Sequence, residues 1–185
     1  MVAVTHQIFG VTFGLLSILL IQFFGMKPEG LIDTIIFFVL VLFGSLLPDL
    51  DTPHSKLGRK FWPISFLISL FVKHRTATHS LLFFIIVVGV SGLLVNMFDL
   101  SWFYAMGISV GTMSHLVGDM LTNRGVPLLY PFVKKSFRMP LTFRTGSAKE
   151  SVICMGLIFM NIILFLYLSG TGKGLLSFLS FIFQI

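Results

Sequence analysis

Charged residues are scarce in this chain. Only 11% of its 185 residues are Asp, Glu, Lys or Arg, whereas 56% are hydrophobic. Since about a quarter of the residues in a soluble domain are charged, this composition excludes an ordinary soluble domain and predicts an integral membrane protein. The length is that of one domain, so we expect residues 1–185 to form a single membrane domain.

Cysteine is nearly absent as well, with Cys154 as the single example. One cysteine excludes an intrachain disulfide and a zinc site built on cysteine pairs. The features of a cleavable signal peptide are also missing, because no basic residues precede the first apolar run and no small-residue cleavage motif follows it. We therefore expect the first apolar run to remain in the protein as a membrane helix.

Long apolar runs are the most prominent feature that is present. A transmembrane helix needs about 20 mostly apolar residues, and five runs come near that length: 8–25, 31–47, 80–98, 101–118 and 151–169. A further run, 61–72, has only 12 residues and contains Pro63. It is typical of a re-entrant or interfacial helix, and the apolar tail 174–185 is also too short to cross alone. The sequence thus predicts an all-α, polytopic bundle of about five spans plus one short helix.

The basic residues predict the orientation of this bundle. Segments 49–78 and 119–150 hold 11 of the 13 Lys and Arg residues, and two predicted spans separate them. Because Lys and Arg concentrate in cytoplasmic loops, both segments and the amino terminus are expected in the cytoplasm. The excess positive charge indicates membrane lipids as partners. Nucleic acid is not expected, since no separate basic domain exists to bind it.

Histidines and aspartates collect at the cytoplasmic ends of these predicted spans. They come from four different spans and are His6, Asp49, Asp51, His74, His79, His115 and Asp119. Ionisable residues in membrane segments are energetically unfavourable and usually functional. The centres of the spans lack them, which disfavours a transporter, because transporters place their ion sites near the middle of the bilayer.

The spacing of these residues predicts that they converge. His115 and Asp119 are four residues apart, so they share one face of a helix and can bind one metal ion. Asp49 and Asp51 follow Pro48, which argues against a continuing helix. In an extended stretch they would point the same way.

His74 and His79 are five residues apart, so a continuous helix would place them on different faces. A loop at His74 that turns into a helix near Thr78 would bring them together. The small-residue pair Gly44-Ser45, like Gly111-Thr112, is expected to let two helices approach closely.

This mixture of carboxylates and imidazoles is typical of a site for Zn²⁺ or a similar divalent ion. The predicted ligands are His6, Asp49, Asp51, His79, His115 and Asp119. His74 is expected to be a further ligand or a general acid. Arg75 is expected either to anchor the loop at the cytoplasmic face or to hold an anionic substrate. His54 lies in a Thr-Pro-His-Ser turn and is left out of the set.

Three ordered motifs carry a resemblance to a known family. Segments 45–51, 74–80 and 115–119, followed by Thr122 and Gly125, resemble the YdjM-like inner-membrane proteins, which are regarded as metal-dependent hydrolases. The resemblance covers roughly residues 5–131, and Thr76 departs from it where the family more often has glycine. The family is remotely similar to zinc-dependent phospholipase C and nucleases of the same fold, which implies a phosphoester substrate.

The sequence therefore predicts a membrane-embedded metal-dependent hydrolase that acts on a phosphoester or lipid headgroup at the cytoplasmic face. A non-catalytic lipid-binding protein is one alternative, because the basic residues of 124–149 can attract anionic lipid. A metal or ion transporter is another.

The predicted topology can be tested with reporter fusions. The concentration of Lys and Arg in two segments predicts that fusions at Lys56 and Lys134 both report the cytoplasm, and that a fusion after Leu168 reports the outside. Opposite reports from Lys56 and Lys134 would mean that the number of spans between them is wrong and that the predicted site residues lie on different sides.

Overall fold

The chain folds into an all-helical bundle, which confirms the predicted fold class. The computed structural model describes residues 1–170, so the predicted short tail 174–185 lies outside the described residues. The α-helices of the described part are α1 Ala3–Phe23, α2 Leu31–Gly44, α3 Lys56–Lys60, α4 Trp62–Phe71, α5 Leu81–Met97, α6 Trp102–Met120 and α7 Ala148–Leu168. Two short 3-10 turns, Leu47–Asp51 and Ala77–His79, lie between them.

Each predicted span contains a helix, but fewer helices than predicted have the length and composition to cross a membrane. Among residues 1–170, these are α1 and α7, with 21 residues each. Helices α2 and α5 have 14 and 17 residues, because the apolar runs that predicted them include residues of the turns at their ends. Helix α6 has 19 residues, but its last turns carry the polar residues Ser114, His115 and Asp119.

The bundle is polar inside and apolar outside. More than half of its largest fully buried side chains are polar, among them three histidines and two aspartates. Large apolar side chains lie on the surface instead: Phe71 is 83% exposed and Phe159 66% exposed. This distribution is the reverse of that in a water-soluble domain. It suits a chain whose apolar surface faces lipid.

Helix α6 is the centre of the bundle and packs against α1, α2 and α5, while α7 packs against α1. Glycines allow the α2–α6 contact, as the sequence predicted. A β-carbon added to Gly111 would lie 2.1 Å from the carbonyl oxygen of Val41, and one added to Gly44 would lie 2.3 Å from that of Ile108. The two backbones therefore touch.

Helix α4 occupies the short apolar run 61–72. It has 10 residues, so it is about 15 Å long against a hydrocarbon core of about 30 Å. Its apolar side chains are largely exposed, with Trp62 at 55% and Leu70 at 61%. The helix packs beside the Leu47–Asp51 turn, so its exposed apolar surface lies next to the aspartates.

The basic segment 121–147 lacks helices but is held in place by backbone pairing. Isolated bridges join Thr122 to Phe143 and Val126 to Phe137. The amide of Leu81, at the start of α5, donates to the carbonyl of Leu128 at 2.8 Å. The segment is therefore fixed against the helix ends that carry the histidines.

The glycine contact makes a testable prediction. Replacing Gly111 with Ala should lower the free energy of unfolding by about 1–3 kcal/mol, because the new methyl group must displace the α2 backbone. Gly92→Ala on α5 is a matched control, since its β-carbon would meet nothing within 4 Å. The control should be neutral or slightly stabilising, because Ala is the better helix former by about 1 kcal/mol. Thermal unfolding of both variants in detergent measures this, and equal melting temperatures would contradict the contact.

Candidate metal centre

The eight predicted site residues lie in one contact network at the ends of four helical elements. His6 is on the first turns of α1, Asp49 and Asp51 are on the Leu47–Asp51 turn, His79 ends the Ala77–His79 turn, His115 and Asp119 are on α6, and His74 and Arg75 are on the loop after α4. Pro48 at the start of the first turn prevents α2 from continuing as an α-helix. Ser80 caps α5 by accepting from the amide of Phe83.

Two histidines face each other through nitrogens that carry lone pairs. His115 Nδ1 lies 2.7 Å from the carbonyl oxygen of Ser45. Because a carbonyl only accepts, Nδ1 carries the proton, and Nε2 of the neutral ring is bare. That Nε2 lies 3.3 Å from His79 Nε2. Thr78 Oγ1 donates its proton to Asp51 and therefore accepts from His79 Nδ1, 3.0 Å away, so Nε2 of the neutral His79 ring is bare as well. An imidazole whose other nitrogen donates to a carbonyl is oriented as a metal ligand.

Two carboxylates complete this group. Asp49 Oδ1 lies 3.5 Å from His79 Nε2 and 3.7 Å from His115 Nε2. Asp119 Oδ2 lies 3.7 Å from the first nitrogen and 3.9 Å from the second. Ligand atoms about 2.0–2.1 Å from a tetrahedral zinc ion are roughly 3.4 Å apart. The separation of the two nitrogens, and the separations of each nitrogen from the two carboxylate oxygens, are therefore close to those that a divalent ion requires.

The ligand atoms of three groups of residues each lie within 4.8 Å of one another, so each group could hold a metal ion. The groups are His79, His115 and Asp119; His6, Asp49 and His115; and Asp49, His74 and His79. The i, i+4 pair on α6 therefore shares one face, as the spacing predicted.

His6 lies against the other side of His115. The two rings stack with centroids 3.8 Å apart, and His6 Nε2 lies 3.3 Å from Asp119 Oδ1. His6 is buried, and its Nδ1 has no hydrogen-bond partner within residues 1–170. A buried ring nitrogen without a partner is unfavourable unless an ion or a water binds it, which fits the predicted ligand role.

Asp51 points away from the other predicted ligands. One of its oxygens lies 2.7 Å from His74 Nδ1, and the other accepts from Thr78 Oγ1 at 2.6 Å. The expectation that Asp49 and Asp51 point the same way is wrong, because residues 47–51 form a 3-10 turn. Residues two apart on such a turn differ in direction by about 120°. Asp51 lies behind His79 and supports the loop, outside the three groups.

His74 and Arg75 lie at the mouth of the cluster. The loop brings the His74 and His79 rings to 5.4 Å between centroids, as the sequence predicted. The hydrogen bond with Asp51 raises the pKa of the half-buried His74.

Arg75 connects the loop at the mouth of the cluster with the buried carboxylate of Asp119. Its guanidinium lies 2.9 Å from Asp119 Oδ2 and donates to Thr122 Oγ1 at 3.4 Å. The Arg75 backbone has a φ of 62°, a left-handed conformation that is uncommon in residues other than glycine. The loop therefore holds an unfavourable backbone geometry beside the candidate centre, as functional sites often do.

Several residues of the site were not predicted from the sequence. Ser45 orients His115 through its carbonyl, and Thr78 contacts both Asp51 and His79 Nδ1. Both residues lie inside the motifs described above, and that position was the signal in the sequence that could have identified them. The amino group of Met1 lies 2.6 Å from Asp119 Oδ1, and no local pattern indicated this contact between distant parts of the chain.

Comparisons with known proteins agree with the motifs. An uncharacterized protein of Bacillus subtilis (strain 168), YvsG, is 38% identical over 114 residues, which are 62% of this chain and 68% of that protein. The inner membrane protein YdjM of Escherichia coli (strain K12) is 38% identical over 125 residues, which are 63% of this chain and 60% of that protein. The chain thus spans about three fifths of the E. coli relative.

No solved structure matches the chain. A family model described as YdjM inner membrane protein matches residues 1–182. That match includes all three motifs and every residue of the candidate centre, and the resemblance inferred from the motifs is confirmed. The chain therefore belongs to the YdjM family of inner membrane proteins.

Proposed function

We propose that this protein is a membrane-embedded metal-dependent hydrolase that acts on a phosphoester or lipid headgroup at the cytoplasmic face. One observation carries the proposal: the bare nitrogens of His79 and His115 lie 3.3 Å apart and face carboxylate oxygens. Arg75 offsets the charge of Asp119, but the remaining acceptor atoms would repel one another in a buried site. A divalent cation removes that repulsion.

The donor set favours zinc. Two imidazole nitrogens with carboxylate oxygens are typical zinc ligands, whereas magnesium and calcium prefer oxygen alone. His79, His115, Asp49 and Asp119 would hold the ion, with His6 available as a further ligand. When bound, such an ion acidifies water and polarises a phosphoryl oxygen.

His74 is suited to donate a proton to the leaving group. Its Nδ1 is held by Asp51, which leaves Nε2 free to face the mouth. The hydrogen bond to Asp51 favours the protonated ring, which is the form that a general acid needs. Its side chain is 40% exposed, so a substrate can reach it. Asp51 acts here as a positioning residue.

The surroundings of the centre support a substrate in the membrane. The site lies at helix ends rather than in the middle of a bundle, and the exposed apolar helix α4 packs beside the aspartate turn. With segments 49–78 and 119–150 in the cytoplasm, as the positive charge predicts, the mouth would lie at the level of the cytoplasmic headgroups.

Variants that separate metal binding from proton transfer test this function. The zinc-loaded protein should hydrolyse at least one member of a panel of bis(p-nitrophenyl) phosphate, p-nitrophenyl phosphate and short-chain phospholipids. His74→Asn should retain metal and lose activity by about a hundredfold or more, as expected for a general acid. Asp119→Asn should lose both metal and activity, because an amide is the poorer ligand. The exposed His54 lies outside the centre, so His54→Asn should change neither.

Elemental analysis measures the metal content of each variant, and initial rates on the same preparations measure its hydrolytic activity. A zinc-loaded protein that hydrolyses no phosphoester in the panel would contradict the proposed function. Full activity in His74→Asn would remove His74 from the mechanism.

A further inference from the structure

A second polar feature adjoins the candidate centre. A cavity of about 400 Å³ opens beside it, lined by Arg75, Arg124 and Arg144 together with His74 and Thr122. None of its lining residues is acidic. The cavity shares His74 and Arg75 with the mouth of the centre, so a molecule bound in it would reach both.

We propose that this cavity is an anion subsite in which Arg124 and Arg144 bind a phosphoryl group. The proposal rests on the proposed function and deepens it, because it names the chemistry of the substrate: a phosphate ester with a dianionic or monoanionic phosphoryl group. The planar guanidinium matches the oxygens of a phosphate and can form paired hydrogen bonds with it.

The fold places both arginines at the cavity by backbone pairing. The amide of Asn123 donates to the carbonyl of Phe143 at 3.0 Å, and the amide of Phe143 donates to the carbonyl of Leu121 at 3.0 Å. These bonds set Arg144 beside the turn that carries Arg124. Gly125 ends that turn with a φ of 65°, and an added β-carbon would lie 2.3 Å from the Phe137 carbonyl oxygen. The backbone positions of the two arginines are therefore built into segment 121–147.

The charges of the cavity are available to a ligand. Arg75 is already paired with Asp119. The side chains of Arg124 and Arg144 make neither a hydrogen bond nor an ion pair with any residue in 1–170. They are exposed, so a charged group can approach them from water or from the headgroup layer. Two unpaired arginines at one cavity without an acid favour a group that carries more than one negative oxygen.

Arg75 connects this subsite to the centre. Its guanidinium contacts Asp119 on one side and Thr122 of the cavity wall on the other. A phosphoryl group held by Arg124 and Arg144 would thus lie next to His74, the proposed general acid. The cavity volume is within the range of about 300–1,000 Å³ for small-molecule sites, so it has room for the ester group as well as the phosphate.

Binding of inorganic phosphate tests the subsite without any assay of hydrolysis. The protein as purified in detergent, its metal content measured in the same sample, is titrated with phosphate by calorimetry. The double variant Arg124→Gln/Arg144→Gln should weaken phosphate binding by about tenfold or more, since each charge-assisted hydrogen bond contributes on that scale. Metal content should stay unchanged, because neither residue touches the proposed ligands.

The matched control is Lys134→Gln/Lys135→Gln, which removes the same charge from the same segment. Both lysines are exposed and lie outside the cavity, so phosphate affinity should remain within about twofold of the parent protein. Equal weakening in the two double variants would overturn the subsite, because it would mean that only overall charge matters. Unchanged binding in the arginine variant would overturn it as well.

A second comparison distinguishes the source of the phosphoryl group. Short-chain phosphatidic acid and glycerol phosphate carry the same group with and without acyl chains, and both should lose affinity in the arginine variant. If the parent protein binds phosphatidic acid more tightly than glycerol phosphate, the ligand of the subsite is a lipid headgroup. If it binds both equally, the ligand is a soluble phosphate ester. If a zinc-loaded protein binds phosphate through these arginines but hydrolyses none of the esters, the subsite is supported and the proposed hydrolase is contradicted. Failure of the subsite and failure of the hydrolase are therefore distinguishable.

Discussion

The structure depends on one constraint: acceptor atoms from three helical elements face one another, largely buried, at the helix ends of an apolar chain. His79 and His115 present bare nitrogens to each other at 3.3 Å, and the carboxylates of Asp49 and Asp119 lie within 4 Å of them. Burying such groups without compensation is strongly unfavourable. Cationic partners provide part of the compensation, since Asp119 is paired with Arg75 and the amino group of Met1. A divalent ion among the four acceptors would provide the rest.

The surrounding architecture follows from that constraint. Helix α6 carries two of the acceptors and must lie close to α2, whose end leads into the aspartate turn. The glycine contacts at Gly44 and Gly111 permit this approach, and the carbonyl of Ser45 then orients His115. Segment 121–147 closes the open side through backbone bridges and brings arginines to the mouth. The polar interior leaves the apolar side chains on the surface, which is the arrangement that lipid favours.

Much of this could be predicted from local sequence, and the remainder depends on contacts between distant residues. Apolar runs predicted where the helices lie, and helical periodicity placed His115 and Asp119 on one face. The orientation of Asp51 could not be predicted, because a 3-10 turn and an extended strand share the same proline signal. An acid at the carboxyl end of α6 is unfavourable beside the helix dipole, but long-range partners, among them the amino group of Met1 and Arg75, surround Asp119 in the fold. Arg124 and Arg144 belong to the cavity only because pairing in segment 121–147 brings them there. Within residues 1–170, fewer helices than the five predicted spans have the length and composition to cross a membrane, since turn residues extended the apolar runs.

Elemental analysis measures whether His79 and His115 hold a divalent metal ion. The purified, detergent-solubilised protein is compared with His79→Ala/His115→Ala, and with His54→Ala as a control for the loss of an exposed histidine. We expect a bound divalent metal, with zinc favoured, in the parent protein and in the control. We expect the double variant to lose the metal and to retain its helical content by circular dichroism. Equal metal content in the parent protein and in a folded double variant, or no divalent metal in the parent protein after zinc loading, would contradict metal binding by these two histidines.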